Sequence, residues 1–491
     1  VLLVRGYGMA NLETGTPITP ATIFESGSVA KQFTAAATLM LAADGKLSLD
    51  DPVRKYVPEL PDYGRPLLVR HLLDHTSGLR EWSNLVALAG WPRGTRVHTQ
   101  ADLLEVVVAQ KALNYPVGEY YSYTNSGFAL LTTIIERVSG KSLAQFTKER
   151  IFEPLGMTNS GWRDDFARIV PGRAQAYARA QDGAWELAMP FENVVGPGGM
   201  LTTVGDWLKW NDALDRKILG AIVDSLERPS TLANGRRIEY GKGLFVRSYR
   251  GTREIAHSGS TAGYSTYLAR YPDHGLSIAV LCNAAGANAT AYTRQLVDAL
   301  VPQLAPNVPP DTVPADPAAL QRFYGVYRSS RTHEPLFVGV GGAGRGGRGS
   351  GPALRELRSG GYLLGSNTVL FDDGPDGRPR GMRVAQGDGD TIQYVFVSPT
   401  IWSPTQEELR AFEGRYRSDE VGVAYTARVV DGRLVLELRA AMRRELTPVY
   451  SDAFTAPGLG TVWFTRDPSG KVTALHFGAA RVWDIVFTRQ P

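Results

Sequence analysis

Cysteine is nearly absent: Cys282 is the single one in a chain of 491 residues. One thiol excludes a disulfide framework and a cysteine-based zinc site, and within the apolar run LSIAVLC (276–282) it reads as a small strand residue. Long hydrophobic runs are missing too. No stretch approaches the roughly 18 apolar residues of a membrane-crossing helix, and no charged region leads into a signal-like apolar segment at the N-terminus. Nor is there an excess of one charge: 53 Lys and Arg stand against 49 Asp and Glu, and the resulting +4 is too weak a field to advertise nucleic acid. What is present is an ordinary globular composition, 43% hydrophobic and 21% charged, in a chain long enough for about two to four domains.

Residues 1–304 alternate helical and strand patterns. After Ser28 the sequence is apolar nearly all round, with Ala30, Phe33, Ala35, Ala36, Ala37, Leu39, Met40 and Leu41 ahead of Gly45, which predicts a buried helix over 28–43. Residues 128–138 (FALLTTIIERV), closed by Ser139-Gly140, predict a second helix, and 254–256, 264–271 and 276–282 predict successive strands. Residues 1–6 (VLLVRG) also read as a strand, one with no hairpin partner, so residues upstream of it, an export signal among them, are expected. Prolines at 302, 306, 309, 310, 314 and 317 enforce an extended linker, placed at 305–317. Beyond it come short alternating strands with Gly-rich turns, and the pattern repeats. Leu320, Phe323, Gly325, Tyr327, Arg328 and Ser329 recur 89 positions on as Leu409, Phe412, Gly414, Tyr416, Arg417 and Ser418. Two all-β units are expected, 318–402 and 403–491, each a small antiparallel barrel.

Three short patterns carry candidate chemistry: Ser28-Val29-Ala30-Lys31, Tyr123-Thr124-Asn125 and His257-Ser258-Gly259. Each alone is common, and His476-Phe477-Gly478 is a second His-x-Gly match. Context gives them weight. Ser28 and Lys31 lie three apart at a helix start, so both project from one face, and burial among apolar residues is the condition under which a lysine can serve as a base. The helix start also directs free backbone N–H groups at the point where an oxyanion would form. Tyr123 adds a second proton shuttle, and Asn125 an amide able to meet both a substrate carbonyl and Lys31.

These residues resemble the serine β-lactamase and penicillin-recognising family, in its class C-like branch with D-aminopeptidases, DD-carboxypeptidases and esterases. The likeness rests on FESGSVAKQFTAAATLMLAADGKLSLDDPV (24–53), LLDHTSGL (72–79), YSYTNSGFALLTTIIERVSG (121–140), IFEPLGMTNS (151–160), GPGGMLTTVGDWLKW (196–210) and HSGSTAGY (257–264), in that order. It implies a multidomain α+β protein: a β-lactamase-like domain over 1–304, with an antiparallel sheet and helices and a shortened N-terminal end, followed by two lipocalin-like barrels. It implies Ser28 as the acylated nucleophile, Lys31 and Tyr123 as the base pair, Asn125 as a substrate-amide ligand and His257 as the third-motif residue. The backbone N–H groups of Ser28 and Ser260 would form the oxyanion hole, with Ser258 and Gly259 lining the substrate strand. β-Lactamases of this branch usually carry Lys-Thr-Gly where this chain has His257-Ser258-Gly259, a form closer to the peptidases. The expected activity is therefore hydrolysis of small amides or peptides, D-aminopeptidase or D-amino-acid amidase first. A short-chain carboxylesterase, a DD-carboxypeptidase with weak β-lactamase activity and a penicillin-binding sensor without turnover are the alternatives. No metal or organic cofactor is called for, a homodimer is left open, and an extracytoplasmic location is what the resemblance suggests.

Three further features invite a function. His71 and His75, four apart, lack an evident third metal ligand and read as part of a structural loop. The run 342–347 fits a dinucleotide fingerprint but predicts no following helix, and reads as a flexible hairpin loop. Residues 448–460 (PVYSDAFTAPGLG) read as a long Pro- and Gly-rich loop: either residues 450–460 line the Ser28 pocket, with Asp452 binding a substrate ammonium group, or the segment is a solvated hairpin tip.

Overall fold

The all-round apolar stretch after Ser28 becomes a central helix in the computed structural model, which describes residues 1–314, 316–339, 341–344, 347–350, 354–374, 377–386, 390–439 and 442–491. Gly27–Ala30 form a 3-10 turn that runs directly into an α-helix over Lys31–Ala43. Every residue from Lys31 to Leu41 is buried, because the helix has no polar stripe to offer solvent. The second expected helix spans Asn125–Ser139, its first turn capped by the Thr124 hydroxyl.

The three expected strands, with Phe245–Tyr249, which was not expected, form a four-stranded antiparallel meander: Phe245–Tyr249, Thr252–Thr261, Tyr264–Tyr271 and Leu276–Cys282. Its second strand is the longest. Phe245–Tyr249 pairs with it only as far as Ala256, so His257–Thr261 has a sheet neighbour on one side and a free edge on the other. That free edge receives the turn carrying Ser28. Residues 1–6 correct an expectation: they form no strand, and Val1, Leu2 and Leu3 are exposed. A strand exists only through its ladder partner, and among the described strands none pairs with this segment.

The chain divides into two units, Val1–Trp82 with Arg93–Asn307 and Ser83–Pro92 with Val308–Pro491. The second unit holds an eight-stranded and a nine-stranded antiparallel sheet, each curling toward a barrel. The sequence repeat is a repeat of packing. Leu320 and Phe323, in the short helical turns before the strand of Tyr327, are buried as Leu409 and Phe412 are ahead of the strand of Tyr416. Tyr327 Oη donates to the Phe323 carbonyl at 2.7 Å, and Tyr416 Oη to that of Phe412 at the same 2.7 Å. Tyr327→Phe and Tyr416→Phe should each lower stability by about 1–2 kcal/mol, since each leaves a buried carbonyl short of a donor. In urea unfolding the two losses should be alike and should add in the double variant.

The 448–460 segment takes the hairpin form. Thr447–Tyr450 and Ala453–Ala456 pair as a tight hairpin turning at Ser451-Asp452. The apolar residues decide this: Val449, Tyr450, Ala453 and Trp463 bury against Val326 of the first repeat, and Tyr450 Oη donates to the His333 carbonyl. Asp452 is the turn residue, and its carboxylate accepts from Arg466 Nη2 at 2.7 Å and Nε at 3.0 Å. A carboxylate already neutralised by a guanidinium is a poor ligand for a substrate amine. Of the fingerprint-like run 342–347, residues 345 and 346 lie outside the described residues; Gly341–Gly344 and Gly347–Ser350 pair as antiparallel strands.

Candidate active site

Lys31 is fully buried at the start of the central helix, and its ammonium group has three acceptors in reach: Ser28 Oγ at 3.1 Å, Asn125 Oδ1 at 2.8 Å and the Pro197 carbonyl at 2.7 Å. Acceptors of this kind replace water around a buried ammonium group. Its Nζ also stands 4.9 Å from the centre of the Tyr123 ring. Tyr123 itself is held through the residues on either side of it, because Ser122 N–H donates to the His75 carbonyl and Thr124 N–H to His75 Nδ1. The His75 ring packs on Tyr123 with 4.2 Å between centroids. His75 is thus a support for the site, and His71 Nδ1 accepts the Leu68 N–H at a short helix start. Among the described residues no group of three or more His, Cys, Asp and Glu could hold a metal ion.

The third motif closes the other side. His257 is buried, with Nδ1 2.6 Å from the Ser258 carbonyl and Nε2 3.1 Å from Tyr240 Oη. The carbonyl accepts, so Nδ1 carries the proton and Nε2 accepts from Tyr240. Burial, then the positive charge of Lys31, pushes the imidazole down to about 3, so the ring is neutral at any working pH. His71 and His333 are likewise lowered to about 4, chiefly by burial. The consequence for stability has a definite sign. The unfolded chain takes up protons near pH 6.5 that the folded rings refuse, so stability falls as pH drops from about 6.5 toward 3 or 4. Urea midpoints should already decline between pH 7 and 5, above the carboxylate range; a flat profile there would contradict the neutral buried rings.

Two glycines let the strand and the turn carrying Ser28 meet. A Cβ on Gly27, whose φ is +52°, would lie 2.5 Å from the Ser260 amide nitrogen, and one on Gly259 would lie 2.0 Å from the Ser26 carbonyl oxygen. Thr266 Oγ1 fastens the same carbonyl at 2.8 Å. The amide of Ser260 therefore sits beside the turn that carries Ser28. Just before that turn, Glu25 is fully buried between Arg163, which donates from Nε at 2.8 Å and Nη2 at 3.0 Å, and Arg173 at 3.2 Å.

The fold thus brings Ser28, Lys31, Tyr123, Asn125, His257, Gly259 and Ser260 into one cluster. Glu81 and Tyr240 were not visible as site residues in the sequence, since neither lies in a recognisable motif. Glu81 follows the HTSGL loop by two positions, and its carboxylate meets Thr124 and Asn125.

The beta-lactamase family model matches residues 1–303. The chain belongs to the beta-lactamase family. A penicillin-binding protein of Bacillus subtilis is 31% identical over 301 residues, 58% of this chain and 65% of its own length. A D-aminopeptidase of Brucella canis is 26% identical over 502 aligned positions, covering 97% of this chain and 91% of its own. Among solved structures, the octameric penicillin-binding protein homologue from Pyrococcus abyssi superposes with a TM-score of 0.56 at 21% identity, over 99% of this chain and 93% of that one, which supports the fold of both units. The family is one of serine hydrolases. Among the described residues no helix is long and apolar enough to cross a membrane.

Proposed function

We propose that this family member hydrolyses small amides or peptides with a D-amino-acid N-terminal residue through an acyl-enzyme on Ser28. The observation that carries the reading is Lys31 Nζ at 3.1 Å from Ser28 Oγ in a fully buried position. In its neutral form Lys31, with Tyr123 beside it, takes the Ser28 proton as Oγ attacks the substrate carbonyl. The N–H groups of Ser28 and Ser260 hold the tetrahedral oxyanion, which collapses as the proton passes to the departing amine; water then attacks the ester and frees Ser28. Asn125 keeps a side-chain N–H for the substrate amide. The neutral His257 supplies no cation for a substrate carboxylate, which favours substrates whose free end is the amine over a carboxypeptidase role. The similarity to a D-aminopeptidase over 97% of the chain supports the same choice.

The test is turnover of D-alanine p-nitroanilide against its L-isomer and p-nitrophenyl acetate, with intact mass after penicillin treatment. Preferential release from the D-anilide is expected. Ester turnover alone would replace the reading by an esterase. The likeness to a penicillin-binding protein supports a second reading, a slow penicillin acceptor, for which a stable adduct without turnover would speak.

A further inference from the structure

Thr124, Asn125 and Ser126, where the second motif enters its helix, all bond to one short segment, Arg80–Trp82. Ser126 Oγ donates to the Arg80 carbonyl at 2.7 Å and accepts from the Trp82 N–H at 2.9 Å, which clamps the backbone on both sides of Glu81. The Glu81 carboxylate, fully buried, accepts from Asn125 N–H at 2.6 Å, from Thr124 Oγ1 at 3.1 Å and from Asn125 Nδ2 at 3.2 Å. A carboxylate that served only to cap the helix would need the backbone N–H alone. Here it also grips the side chain whose other end holds Lys31.

We propose that Glu81 is a positioning residue of the acylation machinery, fixing the Asn125 amide in the orientation that turns Oδ1 toward Lys31. The physical reason is a choice between two rotations. As found, Nδ2 faces the carboxylate and Oδ1 faces the ammonium group at 2.8 Å, so both ends are complementary. Turned over, the amide would set a donor against the Lys31 ammonium and an acceptor against the Glu81 carboxylate, two repulsions at fully buried groups. Glu81→Gln removes the repulsion at the carboxylate end and leaves only the one at Lys31, because the glutamine amide can donate to a turned Oδ1 as readily as it can accept from Nδ2. Lys31 then loses its hold for part of the time, and with it the alignment on Ser28 Oγ. The assignment rests on the reading of Ser28 and Lys31 given above.

The experiment is a double-mutant cycle in the full chain, with the rate of Ser28 acylation by a fluorophosphonate followed by intact mass for Glu81→Gln, Asn125→Ala and both together. Glu81→Gln should slow acylation by about 10-fold to 100-fold, a loss typical of a misaligned catalytic group. The double variant should be no slower than Asn125→Ala alone, because Glu81 acts through that amide. Parental acylation by Glu81→Gln, or losses that multiply in the double variant, would overturn the assignment. Should Glu81→Gln not fold, the cycle is run with Glu81→Asp, whose shorter carboxylate draws back from Nδ2, and multiplying losses there overturn it equally. Ser28→Ala is the control that separates the two readings: labelling that survives it removes the nucleophile, whereas a dead Ser28→Ala beside a fully active Glu81→Gln removes only the role of Glu81.

Discussion

Ser28→Ala is expected to abolish labelling by fluorophosphonate or penicillin and to lower D-anilide turnover by roughly 10⁴-fold or more, with the unfolding midpoint unchanged. Ser28 is only half buried in its 3-10 turn, and the turn is held by backbone contacts and by Gly27 against the Ser260 peptide. Removing one hydroxyl costs Lys31 one of three acceptors and leaves the Asn125 and Pro197 bonds in place. Loss of chemistry with retention of fold is therefore the signature of a nucleophile. Lys31→Met should lose as much activity but also destabilise, because it leaves the Pro197 carbonyl and Asn125 Oδ1 buried without that donor. Labelling of Ser28→Ala at the parental rate would end the assignment.

The largest stability effect is expected at Arg163, which is 1% exposed and bonded through two nitrogens to the fully buried Glu25. Arg163→Met leaves the Glu25 carboxylate with Arg173 alone, at 3.2 Å, and deprives Glu192 of a neighbour at 3.8 Å. Breaking a buried pair from one side costs about 3–5 kcal/mol, and the remaining arginine places this case near the lower end. Because Glu25 lies three residues before Ser28, activity should fall with the same midpoint in urea. A variant in which Glu25→Gln accompanies Arg163→Met should regain part of the lost stability, since the under-paired buried carboxylate is gone, while Arg173 loses its acid partner but keeps its bond to Tyr264 Oη. A loss below about 1 kcal/mol for Arg163→Met would show that the cluster is solvated.

Much of this protein was legible in its sequence because the controlling forces there are local or periodic. The apolar stretch after Ser28 has no polar face and could only become a buried helix, and the three alternating runs from 254 to 282 could only become neighbouring strands. The repeat of Phe323 and Tyr327 as Phe412 and Tyr416 marked two similar units, because a buried tyrosine bonding four residues back imposes its own spacing. The family likeness selected Ser28, Lys31, Tyr123, Asn125 and His257, and the fold clusters them.

Other features were decided only by tertiary contacts. Pro448 and the glycines that follow suggested a loop, but Tyr450, Ala453 and Trp463 found an apolar surface on the first repeat, and burial outweighed turn propensity. The charge state of His257 depended on burial and on the positive charge of Lys31, neither of which is written beside it in the chain. Glu81 had no pattern to announce it: a single acid before a helix acquires a role only when the fold sets the start of another helix, 44 residues on, against its carboxylate. Hydrophobic periodicity and motif order thus determined the elements and the proposed nucleophile, whereas the protonation and orientation of the groups around Ser28 came from long-range packing, because solvent exclusion and hydrogen-bond partners exist only once distant segments meet.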